Sequence, residues 1–498
     1  MGSVLWNGSV FLPYAKSINQ DIRLFGAHHN DGVNNIALIK SLQYSLPPMD
    51  PNYSGRVIKN YHYFINLILA AIQKVTQIDP FILYFGIAPT VMIIILSILV
   101  YFFVLTQAGK LPAVLAILFV NFLGNYYYLG PLLGSVNLHP SIAWMDEYST
   151  RLVNYQLLSS YILLMVLLLF LIRRRPAVLV GLISGLLMGF KVYAWILWEL
   201  GLLAFSWRNK YFFRAFLWSV LFSLPVGWLL YQPGGQATFI FKPLWIIKSM
   251  YESPDRFNLV AWELARQTYL SIRNYLGIFK LYFQGVVAFL IINFGPRLLG
   301  FFAPKNYLLK ILTFLGIILP LLLAQSGSSW NVIQFSYYSV FFLSLLLAIS
   351  LSRFPRLVVV LFILISLPSA LYINSQYLNP PYTVSYSRGF VQALDTLARL
   401  PQGTVLSHPS YSTNAVVSAL SSKPVFIAES MILTSSSIDT RPRQQFRDKF
   451  FSGMTLQPKD FLSENNISYI ISPQYIDISK YMLLPIFQNS EVIIYSTQ

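Results

Sequence analysis

The stretch best equipped for chemistry is Gly26-Ala27-His28-His29-Asn30-Asp31-Gly32, a polar segment ahead of the first long apolar run. Two imidazoles beside a carboxylate supply the parts of a general base, or oxygen and nitrogen ligands for a divalent cation. Asp31, with His28 and His29, is therefore the leading catalytic candidate, although the same residues also suit a plain helix start capped by Asn30 or Asp31. A second acidic site is Asp146-Glu147 in WMDEYSTR, which is either a metal-binding pair or an exposed loop. Lys191 stands between Gly189-Phe190 and Val192-Tyr193, inside an apolar run, where an ammonium must snorkel to the headgroups or meet an anion such as a lipid phosphate. His62 in NYHYF and His139 before Pro140 are secondary candidates. Glu199 falls among apolar residues with no partner evident in the sequence. No phosphate-cradling glycine loop, zinc-ligand spacing or nucleophile elbow occurs, so the chemistry rests on acids, histidines and a lysine.

The elements that must position these residues are membrane helices. With 56% hydrophobic and 11% charged residues, arranged in long uncharged runs, the chain is a polytopic α-helical membrane protein rather than a soluble fold. The net charge of +17 points to anionic lipid headgroups; nucleic acid is excluded because no soluble basic face or binding motif accompanies it. The absence of cysteine excludes disulfides, thiolate metal sites and cysteine nucleophiles.

Residues 1–80 form an expected external loop carrying the catalytic motif and an amphipathic helix from about Tyr61 to Val75. Residues 81–375 form the transmembrane domain, with external loops at 133–157 and 232–275, the latter holding an interfacial helix. Spans are expected at about 81–105, 111–132, 158–172, 212–230, 276–295, 306–324, 332–351 and 357–374. A longer run at about 176–206 is split by Lys191 into two short passes. With that hairpin the inner linkers collect Lys110, Arg173, Arg174, Arg175, Arg208, Lys210, Arg214, Arg297, Lys305, Arg353 and Arg356 and no acid, as basic residues do on the cytoplasmic side. The count is about ten spans, with a further one expected upstream, because MGSVLWNGSVFLPYAK lacks the features of a signal peptide that would export the polar head. From Thr383 the composition turns near neutral, and TVLSH, PVFIAES, ISYIIS and EVIIYS alternate with polar or helical stretches, so residues 383–498 are expected to be a small α/β extracytoplasmic domain.

The order and spacing of several pieces resembles the GT-C superfamily of membrane glycosyltransferases, in particular the bacterial multi-pass type that takes sugars from polyprenyl-phosphate carriers. The pieces are DIRLFGAHHNDGVNNIALIKSL, the PP-x-x-P stretch Pro47 to Pro51, KNYHYFINLILAAIQKVTQIDP, Asp146-Glu147, GLLMGFKVYAW and WNVIQFSYYS. The resemblance implies transfer of a sugar to an envelope glycan, lipid or protein at the external face of the cell membrane. It implies Asp31 as the acid of the first external loop, Asp146-Glu147 as the second acidic pair, and Lys191 as the contact for the carrier phosphate. The chain departs from the pattern at Asn34-Asn35, where relatives carry a histidine, and lacks a clean D-x-D triplet. No cofactor is required by these residues, and a divalent Mg or Mn at the acidic pair stays open. The expected partners are a polyprenyl-phosphate-linked sugar, membrane lipids and an acceptor the sequence does not name. The rival readings are a polymerase or ligase of lipid-linked glycans and a non-enzymatic lipid or glycan transporter.

Overall fold

The structure, a computed structural model, describes residues 2–14, 21–137, 139, 143, 151–232, 238–326, 328–351, 354–429, 438–455, 458–476, 478 and 481–497. In chain order its helices begin with α1 (Gly2–Phe11), α2 (Asp31–Ser41), α3 (Phe64–Thr76), α4 (Ala88–Ala108) and α5 (Lys110–Phe122). They continue with α6 (Tyr155–Ile172), α7 (Ala177–Phe190), α8 (Val192–Ser206), α9 (Lys210–Leu230), α10 (Trp245–Glu252), α11 (Val260–Ser271) and α12 (Tyr275–Phe294). The last are α13 (Tyr307–Leu322), α14 (Gln334–Leu351), α15 (Arg356–Leu378), α16 (Arg388–Arg399), α17 (Val416–Ser421), α18 (Arg441–Phe451) and α19 (Pro458–Glu464).

The apolar runs expected to cross the membrane are mainly helical. Among the described residues six helices are long and apolar enough to span, and seven if the bent pair Lys110–Phe122 and Tyr127–Leu133 is one span. The helices α7, α8 and α13 are shorter. The Lys191 break is present: α7 and α8 meet at that residue, and Trp198 Nε1 of α8 donates to Ser184 Oγ of α7 at 2.8 Å. Gly181 and Gly185 let α7 approach α9 closely, since a Cβ on Gly181 would lie 2.2 Å from Trp218 Cβ.

Contacts divide the chain into two compact units, one of Met1–Val10, Thr90–Gly227 and Thr238–Asn379, the other of Phe11–Pro89, Trp228–Ala237 and Pro380–Gln498. The first unit is built on Ser329–Leu351, whose apolar window is 94% buried. The run at 111–132 is not one straight span: it breaks after Phe122 and resumes as a 3-10 turn, with a 68° bend. A break inside an apolar bundle strands carbonyls that must find donors. Arg297, expected in an inner linker, supplies them instead from within the span Tyr275–Phe302: it is buried and donates to Leu123 O at 2.8 Å, Gly124 O at 2.9 Å and Ser344 Oγ at 3.2 Å. Arg151, also buried, donates to Val120 O of the same helix end. A two-stranded ribbon of β2 (Phe239–Phe241) and β3 (Leu323–Gln325) completes the part that concerns the site.

The second unit joins the segment before the spans to the C-terminal segment. Here β1 (Ile22–Leu24) pairs antiparallel with β4 (Val384–Tyr386). The C-terminal sheet has the order β5-β6-β8-β7, with β5 (Thr404–Ser407) parallel to β6 (Ile467–Pro473), and β8 (Val492–Ser496) antiparallel to both β6 and β7 (Leu484–Gln488). Three of the four short apolar segments read from the sequence supply β5, β6 and β8; the fourth runs beside β5 through a single Val405–Val425 bridge. Leu406, Phe426, Phe450, Ile470 and Ile493 meet in the core beside the sheet.

Candidate active site

Asp31 opens α2, reached from β1 through Gly26, whose φ of 57° suits glycine, and a 3-10 turn over Gly26–His29. A carboxylate in the first helical turn faces the positive end of the helix dipole. Asn30 occupies the cap position without a side-chain cap bond, so the sequence reading of a capped helix start holds in place but not in bonding. Asp31 is half-buried, and its charge acts on Tyr61, whose phenol is pushed up first by burial and then by Asp31. His62 stacks on Tyr61, with centroids 5.2 Å apart and rings 12° from parallel.

The two histidines of the motif have different surroundings. His28 is buried, with Tyr14 at 4.8 Å and Phe85 edge-on at 5.1 Å. Gly32 keeps Phe85 in place, because a Cβ there would lie 2.8 Å from the Phe85 ring. His29 Nδ1 lies 2.5 Å from Gly26 O; a carbonyl only accepts, so Nδ1 carries the proton and Nε2 of the neutral ring is left as the basic atom.

Two asparagines fix the body of α2. Asn34 Oδ1 accepts from Asn52 Nδ2 at 2.9 Å, and Asn35 Oδ1 accepts from Asn66 Nδ2 of α3 at 2.8 Å while Asn35 Nδ2 donates to Asp31 O at 2.7 Å. Asn52 N in turn donates to Asp50 Oδ1 at 2.9 Å. Burial pushes the Asp50 carboxyl up to about 6, against the Asn52 amide and Arg56, which draw it down. The strip around Pro51 is tied to the C-terminal part of the unit: Val425 N donates to Pro51 O at 3.0 Å, Ser54 N to Val425 O at 3.0 Å and Ala428 N to Asn52 O at 3.0 Å. Arg443 lies 3.7 Å from the Tyr53 ring centroid and 4.6 Å from that of Phe426, and donates to Ser54 O at 3.0 Å. Asn414, also buried, donates to His29 O at 2.8 Å and to Tyr386 OH at 2.5 Å, and its Oδ1 accepts from Val416 N at 3.0 Å.

In the helical unit Lys191 is 3% exposed, in extended backbone between α7 and α8, with Nζ 6.0 Å from the Tyr193 ring centroid. Tyr193 OH donates to Gln325 Oε1 at 2.5 Å, so the turn is anchored to the end of β3, and the Tyr193 ring meets Phe335 edge-on at 5.2 Å. The same ribbon holds Trp245, whose Nε1 donates to Leu323 O at 2.6 Å and whose ring lies 5.2 Å from Trp330. The Arg256 guanidinium stands 4.9 Å from the Trp330 ring centroid, with Asp255 at 3.4 Å. Arg256 was legible only as one charge among several in its loop; its aromatic seat comes from residue 330, far along the chain. Glu199 of α8 accepts from Ser219 Oγ of α9, the partner that the sequence does not indicate. His139 lies edge-on to Tyr372 at 5.8 Å, and burial pushes its imidazole down, toward the neutral form.

Asp146 and Glu147 lie outside the described residues. Among the described residues no group of three or more His, Cys, Asp or Glu side chains is gathered closely enough to hold a metal. His28 is enclosed by aromatic rings, while His29, with Nδ1 on a carbonyl, offers Nε2 as a single basic atom.

This architecture is similar in fold to solved structures of a membrane oligosaccharyltransferase. No family model and no curated protein matches the sequence, so the likeness lies in structure. An oligosaccharyltransferase from Archaeoglobus fulgidus, solved in complex with Zn and sulfate, overlays 95% of this chain and 67% of its own, at 15% identity and a TM-score of 0.53. The same enzyme tethered to an acceptor peptide containing the NVT sequon overlays 95% and 68%, at 12% identity and a TM-score of 0.50. ArnT from Cupriavidus metallidurans bound to undecaprenyl phosphate covers 99% and 96% at 10% identity, but its TM-score of 0.44 is too loose for residues to be compared.

Proposed function

We propose that the protein is a glycosyltransferase that moves a sugar from a polyprenyl-phosphate donor to an envelope glycan, lipid or protein acceptor at the external membrane face. The observation that carries this reading is the likeness in fold to membrane glycosyltransferases, together with Lys191 buried at a helix break beside the Tyr193 ring. A buried ammonium attracts an anion, and a lipid phosphate is the anion a bilayer delivers.

In this reading Asp31 takes the proton of the acceptor hydroxyl as its oxygen attacks the anomeric carbon. The bond from that carbon to the phosphate oxygen breaks, and the carrier phosphate leaves with the added charge. Lys191 stabilises that charge. His29 offers Nε2 as a relay for the proton, while His28 holds the motif through its ring contacts. Asp31 and Lys191 belong to different compact units, and each role is proposed from the surroundings within its own unit.

Purified protein in liposomes, incubated with a labelled polyprenyl-phosphate sugar and mixed envelope acceptors, should release the free carrier phosphate and label an acceptor. Movement of the intact donor between leaflets without cleavage would instead identify a transporter. Growth of a lipid-linked chain would identify a polymerase.

A further inference from the structure

We propose that α11 re-enters the bilayer beside α12, with its N-terminal end deepest, and presents its outer face to lipid acyl chains. This surface does not depend on the sugar-transfer reading. A helix in a hydrated loop turns its charges outward. Here the polarity is reversed: Glu263 and Arg266 face the protein, 14% and 13% exposed, in a two-point pair at 2.7 and 2.6 Å. Val260 and Leu264 point away, 65% and 64% exposed, and no residue of the helix is buried. Charges turned inward and apolar side chains turned outward match a surround of lipid.

The contacts with α12 give the direction. Near the C-terminal end of α11, Tyr269 closes on Gly277 in the first turn of α12, where a Cβ would lie 2.9 Å from the ring. Near its N-terminal end, Trp262 meets Tyr251 at 5.6 Å, and Tyr251 OH donates to Leu281 O at 2.9 Å and abuts Gly285. The two helices therefore run antiparallel, and the start of α11 lies level with a point roughly 9 to 15 Å along α12. Since α12 opens the span Tyr275–Phe302, that displacement is into the membrane.

The outer face changes along the same axis. Val260 and Leu264 occupy the deep half, and Gln267, Thr268 and Ser271 follow at helical spacing in the shallow half. Even there the hydroxyls are satisfied within the helix, Thr268 Oγ1 donating to Leu264 O at 2.9 Å and Ser271 Oγ to Thr268 O at 2.8 Å. Arg273 and Lys280, both exposed, mark the headgroup side, which a lysine stem reaches by snorkelling. The surface is continuous with the exposed Tyr275, Leu276 and Phe279 of the span itself.

The chain contains no cysteine, so Val260→Cys, Leu264→Cys and Ser271→Cys each give a single attachment point. Spin-labelled protein in nanodiscs of phosphatidylcholine and phosphatidylglycerol should show collisions with oxygen dominating at 260 and 264, and collisions with a water-soluble nickel chelate rising at 271. Equal chelate access at all three positions overturns the proposal, and so does dipolar coupling between labels of two copies at 264, which would put a second chain on this face. If the spin label disturbs the helix, the unlabelled cysteines provide another reading. A water-soluble maleimide should modify Ser271→Cys about ten-fold faster than Leu264→Cys, as a lipid-covered thiol predicts, and equal rates overturn the proposal.

Discussion

Asp31 and Lys191 are held in opposite ways. The segment around Asp31 is fixed by polar ties: Asn34 to Asn52, Asn35 to Asn66, and Asn414 to the His29 carbonyl, the last from a residue in the C-terminal part of the same unit. The turn that carries Lys191 is set by a break between two short helices, by packing of Gly181 and Gly185 on α9, and by the bond from Tyr193 OH to Gln325. The difference follows from what each group is proposed to do. A base must aim a lone pair, and directional bonds set its position to fractions of an ångström. A cation that attracts a phosphate needs chiefly to be shielded from water, and burial at a helix break does that.

The largest effects should come from the two residues themselves. Asp31→Asn keeps the shape and removes proton acceptance, so turnover should fall by ~10² to 10⁴ while donor binding is retained. Lys191→Ala should weaken donor binding and turnover together, because a phosphate contact acts before and during bond breaking. Binding and single-turnover measurements on the two variants test the contrast. Loss of donor binding in Asp31→Asn would make Asp31 a structural group, and full activity in both variants would move attention to Asp146 and Glu147.

A smaller effect distinguishes the units by pH. The Asp50 carboxyl takes its proton at about 6 in the native chain, above the ordinary carboxylate value. Between about pH 4 and 6 the native state therefore holds a proton that the unfolded chain has released, so stability falls as pH rises through that window. The shift corresponds to at most about 3 kcal/mol. Asp50→Asn removes the titration, so the difference in melting temperature between variant and parent in detergent should change across that window and level off above it. A difference that stays constant from pH 4 to 7 would show that Asp50 ionises normally.

What the sequence disclosed depended on whether the cause was local. The helix start at Asp31 and the break at Lys191 were legible because polar residues in one place, or a charge in an apolar run, declare them. The break after Phe122 was not, since the guanidinium that satisfies Leu123 and Gly124 comes from Arg297, in a different span. The seat of Arg256 on Trp330 and the grip of Arg443 on Tyr53 are likewise made by residues far apart in sequence. β7 escaped because Leu484–Gln488 carries a proline and no alternation strong enough to separate it from loop. A helix in the loop after Gln232 could be expected from composition, but which of its faces turns to lipid is decided by Tyr251 and Gly277, which no periodicity within α11 encodes.

The finest test of the contrast is Asn414, which should act on Asp31 at a distance. Its side chain has two tasks: Oδ1 accepts from Val416 N, the first residue of α17, and Nδ2 holds the His29 carbonyl and the Tyr386 hydroxyl. Asn414→Asp preserves the accepted bond and removes both donated bonds, so the two tasks separate. If polar ties aim the base, this variant should stay folded and melt within several degrees of the parent, since each of the two lost hydrogen bonds is worth about 1 kcal/mol net. Its kcat should nevertheless fall by roughly 10-fold with the donor KM unchanged, as a small displacement of a reacting group does. Asn414→Ala should lose stability as well, because the accepted bond goes with the tie. A merely structural asparagine would lower the melting temperature in both variants and leave kcat of the folded fraction untouched. Full turnover in Asn414→Asp alongside an inactive Asp31→Asn would mean that α2 is aimed by Asn34 and Asn35 alone, and that the C-terminal part of the unit supports the fold without setting the base.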